Sequence, residues 1–234
     1  MEPSFTSSPV AATLRGRRAL LGDALHRPGG RRTASVLSAA LFVGGLALFT
    51  YPVGTDLYGR YEQGRLRDAF KAPDLRAHYR THTISVGQGL TRLRIPRIGL
   101  DVLVVEGTTV EALRAGAGHY TGTPLPGDVG NVGIAGHRTT YGRPFNNLDL
   151  LTTGDLAVLQ TPFETYTYQA IAPFAGHANP WVVPPSDISV VGQDLTVRSL
   201  TLTTCNPKGS ARERLVMRFM LVSGQPLPEQ EKKL

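Results

Sequence analysis

The chain's single cysteine, Cys205, closes the run Leu200-Thr-Leu-Thr-Thr-Cys205, and Asn206-Pro207 follows it. Alternating β-branched residues read as a strand, and Asn-Pro turns the chain away, so the thiol stands at the rim of a sheet. A threonine before it and a turn after it are poor surroundings for a buried structural cysteine. A rim thiol offers nucleophilic chemistry. At ordinary pKa values of ~8.5 for a thiol and ~6.5 for an imidazole, only about 3% of thiols are ionised at pH 7. If the imidazole must also be protonated, as acid for a leaving amine, the doubly ready fraction falls to about 1% unless the groups pair. A histidine nearby is therefore expected.

His137 ends the apolar, glycine-bearing run Gly130-Asn-Val-Gly-Ile-Ala-Gly-His137, and glycines let another backbone or a substrate come close. His119, in Gly118-His-Tyr120, has similar surroundings, whereas His177 reads as a loop residue. His78 and His82 lie near the start of the strand-rich region, and His26 precedes a long apolar segment. Attack on a carbonyl also builds an oxyanion, which calls for a preorganised donor worth about 3 kcal/mol. Arg212, Arg214 and Arg218 follow the cysteine, and period-2 alternation puts all three on one face. Arg214 stands at the start of its strand, nine positions past Cys205, a span suited to one loop between neighbours.

The elements that must hold these groups follow from texture. With 41% hydrophobic and 18% charged residues in 234, a packed core is expected rather than a disordered chain. One cysteine excludes an internal disulfide framework and a Cys-rich zinc site. The net charge of +7 is unevenly placed. Residues 1–32 carry six arginines against two acids, 53–80 six basic residues against four acids, and 81–234 thirteen against twelve. The basic character belongs to the first 32 residues, with no aromatic RNP box and no Cys/His finger, so no nucleic-acid partner is expected.

No residue from Thr33 to Thr55 is charged. About 20 helical residues span the ~30 Å hydrocarbon core, so residues 33–54 read as a transmembrane anchor. The arginines before it predict a cytoplasmic N-terminus and an exported C-terminal part. A cleaved signal peptide is the competing reading, with Gly45-Leu46-Ala47 as its cut site, but the basic and apolar stretches are both long for one. Residues 1–32 read as a basic disordered tail. Residues 55–82 read as an extracellular stalk, with a helical stripe Leu57, Tyr61, Leu66 and Phe70 ended by Pro73. Residues 83–224 form the candidate catalytic domain, and 225–234 a frayed tail.

Strands are predicted at 92–95, 102–106, 132–135, 156–160, 165–171, 200–204 and 214–222, with a short helix at 111–115. Turn signals between them suggest a closed or nearly closed β-barrel of about 140 residues.

These residues resemble the sortases, cysteine transpeptidases of Gram-positive cell surfaces. The likeness runs over about Leu93–Val222 and rests on Ile95-Pro-Arg-Ile-Gly-Leu-Asp101, Gly118-His-Tyr120, Ala135-Gly-His-Arg138, Thr201-Leu-Thr-Thr-Cys205 with Pro207, and Glu213-Arg-Leu-Val216. Gly-His-Tyr and Cys-Asn-Pro are most like the class E sortases of actinobacteria. The resemblance implies an eight-stranded barrel with short helices and a catalytic set of His137, Cys205 and Arg214. It implies cleavage of an LPxTG or LAxTG sorting signal between Thr and Gly through a thioacyl-enzyme, then transfer to a peptidoglycan amine. Thr204 and Tyr120 would then be substrate-binding residues. Some class A sortases hold calcium on acidic loops. Asp149 and Asp155 read as isolated, so no metal and no cofactor is expected. An L,D-transpeptidase would place Ser-His-Gly before its cysteine, where this chain has Leu-Thr-Thr. A surface-binding module with an incidental thiol is the non-enzymatic alternative.

Overall fold

The alternating runs assemble into nine strands of one sheet: β1 Gly89–Ile95, β2 Leu100–Glu106, β3 Ala117–His119, β4 Gly130–Ala135, β5 Leu156–Gln160, β6 Glu164–Ala170, β7 Trp181–Val183, β8 Arg198–Asn206 and β9 Glu213–Pro226. This computed structural model describes residues 28–71, 74–174 and 176–226. The basic tail up to residue 27, Pro73 and the tail from residue 227 lie outside the described residues. Neighbours run β6-β5-β1-β2-β3-β4-β8-β9, and a β6–β9 pairing closes the eight into a barrel. β7 shares the outer edge of β9, pairing with residues 214–216 of that strand, while β6 takes residues 219–226. Closure removes the open edges that an exposed sheet would present for aggregation.

All pairings are antiparallel except β2–β3 and β4–β8. A parallel neighbour needs a crossover. For β2 to β3 it is the short helix α3, Val110–Ala115, whose N-cap Thr109 accepts from the Ala112 N–H at 3.2 Å. For β4 to β8 it is everything from residue 136 to 197. The core inside the barrel includes Leu93, Ile134, Phe145, Leu159, Tyr168, Leu202 and Phe219. Alternation sends Leu200 and Leu202 inward and Ser199, Thr201 and Thr203 outward. The outward face of β8 is also covered, since Thr201 and Thr203 are 0% and 2% exposed.

The seven predicted strands all form, with ends shifted by up to four residues; β3 and β7 were not expected. Each is three residues long, and Ala-Gly-His carries no strand signal of its own. Both exist because a neighbouring strand offers a free ladder, a tertiary effect that propensity does not encode.

Contacts divide the chain into two units, Met1–Tyr51 and Pro52–Leu234. Helix α1, Pro28–Phe70, begins in the first, where its Leu41, Phe42, Leu48 and Phe49 are 70–84% exposed. This helix is long and apolar enough to cross a membrane.

In the second, the stretch expected as a free stalk is part of the compact body. Leu66 of α1 packs with Leu103, Val105 and Ala112. Helix α2, Asp74–Thr81, buries Leu75 and Tyr79 with Leu90. The expected stripe holds in part: Leu66 is buried and Phe70 packs beside it, whereas Leu57 and Tyr61 are 61% and 65% exposed, and the docked face continues through Thr55, Gly59 and Gln63. Gln63 explains the rotation. Its amide accepts from the Leu103 N–H at 2.8 Å and donates to the carbonyls of Leu103 and Ala115, which turns a polar residue toward the barrel.

Candidate active site

The β4–β8 ladder runs in parallel register to Ala135 opposite Thr203, and Gly136 N–H donates to the Thr203 carbonyl at 3.0 Å. Two positions beyond that pair stand Cys205, still within β8, and His137, just past the end of β4. On the other side of β8, Cys205 pairs with Arg214 of β9. Register alone therefore brings the three groups to one level at the barrel's rim. All three side chains are half-buried, exposed enough to meet a ligand. Burial pushes the His137 imidazole below its ordinary value, and the nearby charge of Arg114 on α3 pushes it the same way.

Pleat parity places this set on the outer face of the barrel, with Thr201 and Thr203. There the Tyr120 Oη lies 2.8 Å from the Thr203 Oγ1, and the ring lies over Gly133, where an added Cβ would meet it at 2.9 Å. Tyr120 thus borders the surface that leads to the thiol.

Thr204 does not. It falls on the opposite face, is 2% exposed, and donates its hydroxyl to the Gly136 carbonyl at 2.7 Å. The substrate-facing role expected of it is corrected to a tie between the strand ends that bear Cys205 and His137.

Arg214 donates from Nη1 to the carbonyls of Ala211 and Glu213, both at 3.0 Å, so its guanidinium lies along the β8–β9 turn. Arg218 is committed elsewhere. It donates to Thr201 and to the Val190 carbonyl and lies over the rings of Phe174 and Trp181. Of the three arginines, register singles out Arg214.

The other histidines among the described residues have partners as well. His119 is 2% exposed, with Nδ1 2.7 Å from Glu106 and Nε2 2.8 Å from Thr123 Oγ1. His177 bridges Phe174, His78 contacts Thr83, and His82 lies 3.8 Å from Asp128.

Two polar residues that the sequence reading passed over join the site. Arg138, 5% exposed, donates to the Cys205 carbonyl at 3.2 Å and to Asn206 Oδ1 at 2.6 Å. Asn206 in turn donates to Glu213 at 2.9 Å. Asp149, read from sequence as isolated, pairs with Arg138 at 3.2 Å and with Lys208 at 3.7 Å. Asp155 accepts from the Thr152 N–H at 2.8 Å and caps its own turn. The signal was available: Arg138 and Asn206 each follow a candidate reactive residue directly, and so point to the face behind it.

A rim thiol, an adjacent histidine and a facing arginine on a closed eight-stranded barrel define a class of cysteine transpeptidases. The family model for the sortase domain matches residues 93–222, more than half of the chain, and the chain belongs to the sortase family.

Among its relatives is sortase SrtE1 of Streptomyces coelicolor, 32% identical over 60% of this chain and 42% of that protein. Sortase SrtE2 of the same organism is 31% identical over 61% and 62%, and sortase D of Bacillus subtilis 30% identical over 56% and 63%. The chain thus spans less than two thirds of each of these relatives. Solved structures agree in fold. Sortase E of Streptomyces avermitilis superposes with a TM-score of 0.53 at 35% identity, over 62% of this chain and 97% of that one. A Clostridium perfringens sortase D5 transpeptidase reaches 0.59 at 26%, over 71% and 99%.

Proposed function

We propose that this protein is a membrane-anchored cysteine transpeptidase that cuts a C-terminal LAxTG- or LPxTG-type sorting signal between Thr and Gly. The observation that carries this reading is the pairing of Cys205 with Arg214 across β8 and β9, with His137 two residues past the end of β4, the strand on the other side of β8. Cys205 passes its proton to His137 and attacks the threonine carbonyl as a thiolate, and the sulfur–carbon bond forms as the carbonyl oxygen takes up charge. Arg214 leaves its turn carbonyls to hold that oxyanion. His137 gives its proton to the departing glycine amine, and the thioacyl-enzyme remains. A peptidoglycan amine then attacks the thioester, returns a proton to His137, and frees the thiol. Tyr120 lines the approach and contributes to the choice between Ala and Pro in the signal. The two Streptomyces coelicolor relatives and the Gly118-His-Tyr120 run support class E.

The apolar part of α1 is the anchor, with the basic N-terminus cytoplasmic and the barrel outside the cell. Its partners are secreted proteins that bear the signal and the wall precursor that accepts them, with no nucleic acid and no cofactor.

The test uses the whole chain in detergent with LAxTG and LPxTG peptides. Intact-mass spectrometry is expected to show a thioacyl adduct that hydroxylamine releases and Cys205→Ala abolishes. No adduct from either peptide, with the thiol shown free by alkylation, would refute the transpeptidase. A clear preference for LPxTG would refute only class E.

A further inference from the structure

The loop that follows His137 makes an unusual turn. Tyr141 and Arg143 have φ of 52° and 49°, and Gly142 between them 76°. Two non-glycine residues in the left-handed region cost on the order of 1–3 kcal/mol each and persist only where their surroundings hold them. What holds them is α1.

Asp56 accepts from the Gly142 N–H at 3.1 Å through one carboxylate oxygen and pairs with Arg143 at 2.7 Å through the other. Gly59, one turn on, lets the loop backbone lie directly on the helix. A Cβ there would stand 2.9 Å from the Tyr141 carbonyl carbon and 3.1 Å from the Gly142 nitrogen. Tyr58 meets the Tyr141 ring edge-on, with centroids 6.2 Å apart.

The held turn has a second side. The Tyr141 ring lies against the His137 imidazole, with centroids 5.2 Å apart and planes tilted by 37°. Arg114 of α3 sits 5.7 Å from the centre of the same ring. One aromatic side chain thus touches both the helix that leads out of the apolar segment and the histidine at the rim. The helix grips at points rather than along its length, for a cavity of about 510 Å³ lies beside this contact, lined in part by Arg60, Gln63 and Asp101.

We propose that Tyr141 is a positioning residue for His137, locked in place by Asp56 and Gly59 of α1, so that the helix leading from the anchor completes the active site. The inference rests on His137 being the acid of the transpeptidase reaction. Docked, the helix fixes the ring that covers one face of the imidazole. Undocked, the left-handed turn relaxes, the ring leaves, and the imidazole is free to rotate away from the departing amine. Small displacements of a reacting group cost up to about a hundredfold in rate.

The test compares full-length wild type with Asp56→Ala, Tyr141→Ala and Tyr141→Phe in detergent. Acylation is followed with the sorting-signal peptide, and the His137 titration by NMR. Around that imidazole, Arg114 of α3 acts on it by its charge and Tyr141 of its own loop lies against the ring, while Cys205 of β8 and Arg214 of β9 are the groups of the neighbouring strand ends. Asp56→Ala and Tyr141→Ala are expected to lower kcat about tenfold with KM within twofold. Their His137 midpoint should rise as water reaches the ring. Tyr141→Phe retains the stacked face and should restore both values. Asp56→Asn retains an acceptor for Gly142, guards against a variant that does not fold, and should fall between wild type and Asp56→Ala.

An unchanged kcat and midpoint in folded Asp56→Ala would overturn the proposal. So would a loss of melting temperature and activity together with an unmoved midpoint. If wild type itself fails to acylate, the transpeptidase reading falls, and the NMR arm still decides whether α1 sets the environment of His137.

Discussion

Arg138 has the most concentrated set of contacts near the reactive residues. One guanidinium ties the Cys205 carbonyl, the Asn206 side chain and the Asp149 carboxylate, while its buried Nε has no partner among the described residues. A buried cation deprived of its partners is costly, and so are partners deprived of their cation. Arg138→Gln is expected to reduce the acylation rate about a hundredfold while Cys205 stays alkylatable, because the thiol survives and only its alignment is lost; a stopped assay with the sorting peptide reads this.

His137 carries a second prediction. Its folded value lies below the ordinary imidazole value, because of burial first and Arg114 second. The unfolded chain therefore binds more protons in the window between that value and ~6.5, so stability rises with pH there and is lost as pH falls through the folded value. Arg114→Met should raise the midpoint, seen by NMR, and narrow the window. Thr204 shows what alternation alone could have told: one step from Cys205 along a strand lies on the other face, so a neighbour in sequence is no neighbour in the groove.

At the scale of elements, the site depends on two strands held in parallel register without a short turn between them. Asn131 is the clasp. Its Oδ1 accepts from Ser199 at 3.2 Å and Thr201 at 2.8 Å, and its Nδ2 donates to the carbonyls of Val190 and Gly192. Asn131→Ala strands several buried partners and should lower unfolding stability by about 2–4 kcal/mol in urea melts. A value below about 1 kcal/mol would show that the ladder sets the register unaided.

The seven long strands were legible because each alternates or carries a run of apolar, β-branched or aromatic residues between turn signals. The pairing of β4 with β8, 62 or more residues later in the chain, was not: no local pattern states which strands become neighbours. The glycine-bearing run favours His137 and the start of a strand favours Arg214, and the family resemblance implies both as part of the catalytic set. The register and the burial of His119 supply the physical reason.

For the whole molecule, the sequence reading divided the chain by composition into tail, anchor, stalk and domain. The apolar run was plain because 23 residues pass without a charge. Of the stalk's docked face, hydrophobic periodicity shows Leu66 and Phe70 but not Thr55, Gly59 and Gln63, which continue it toward the anchor. Small and amide side chains suit a helix that must lie close to a backbone, and that closeness appears only in three dimensions.

The 14-residue strand β9 pairs with β6, β7 and β8 at once, and it is the last strand among the described residues. A chain made from its N-terminus cannot close the barrel until this strand is available. Until then β6 and β8 stay open, with Cys205 already emerged and Arg214 still to come. The candidate site is therefore assembled late, by the event that also seals the sheet. An interrupted chain that stops before Glu213 would be an open sheet bearing a bare thiol, a species fit for aggregation and for nothing else.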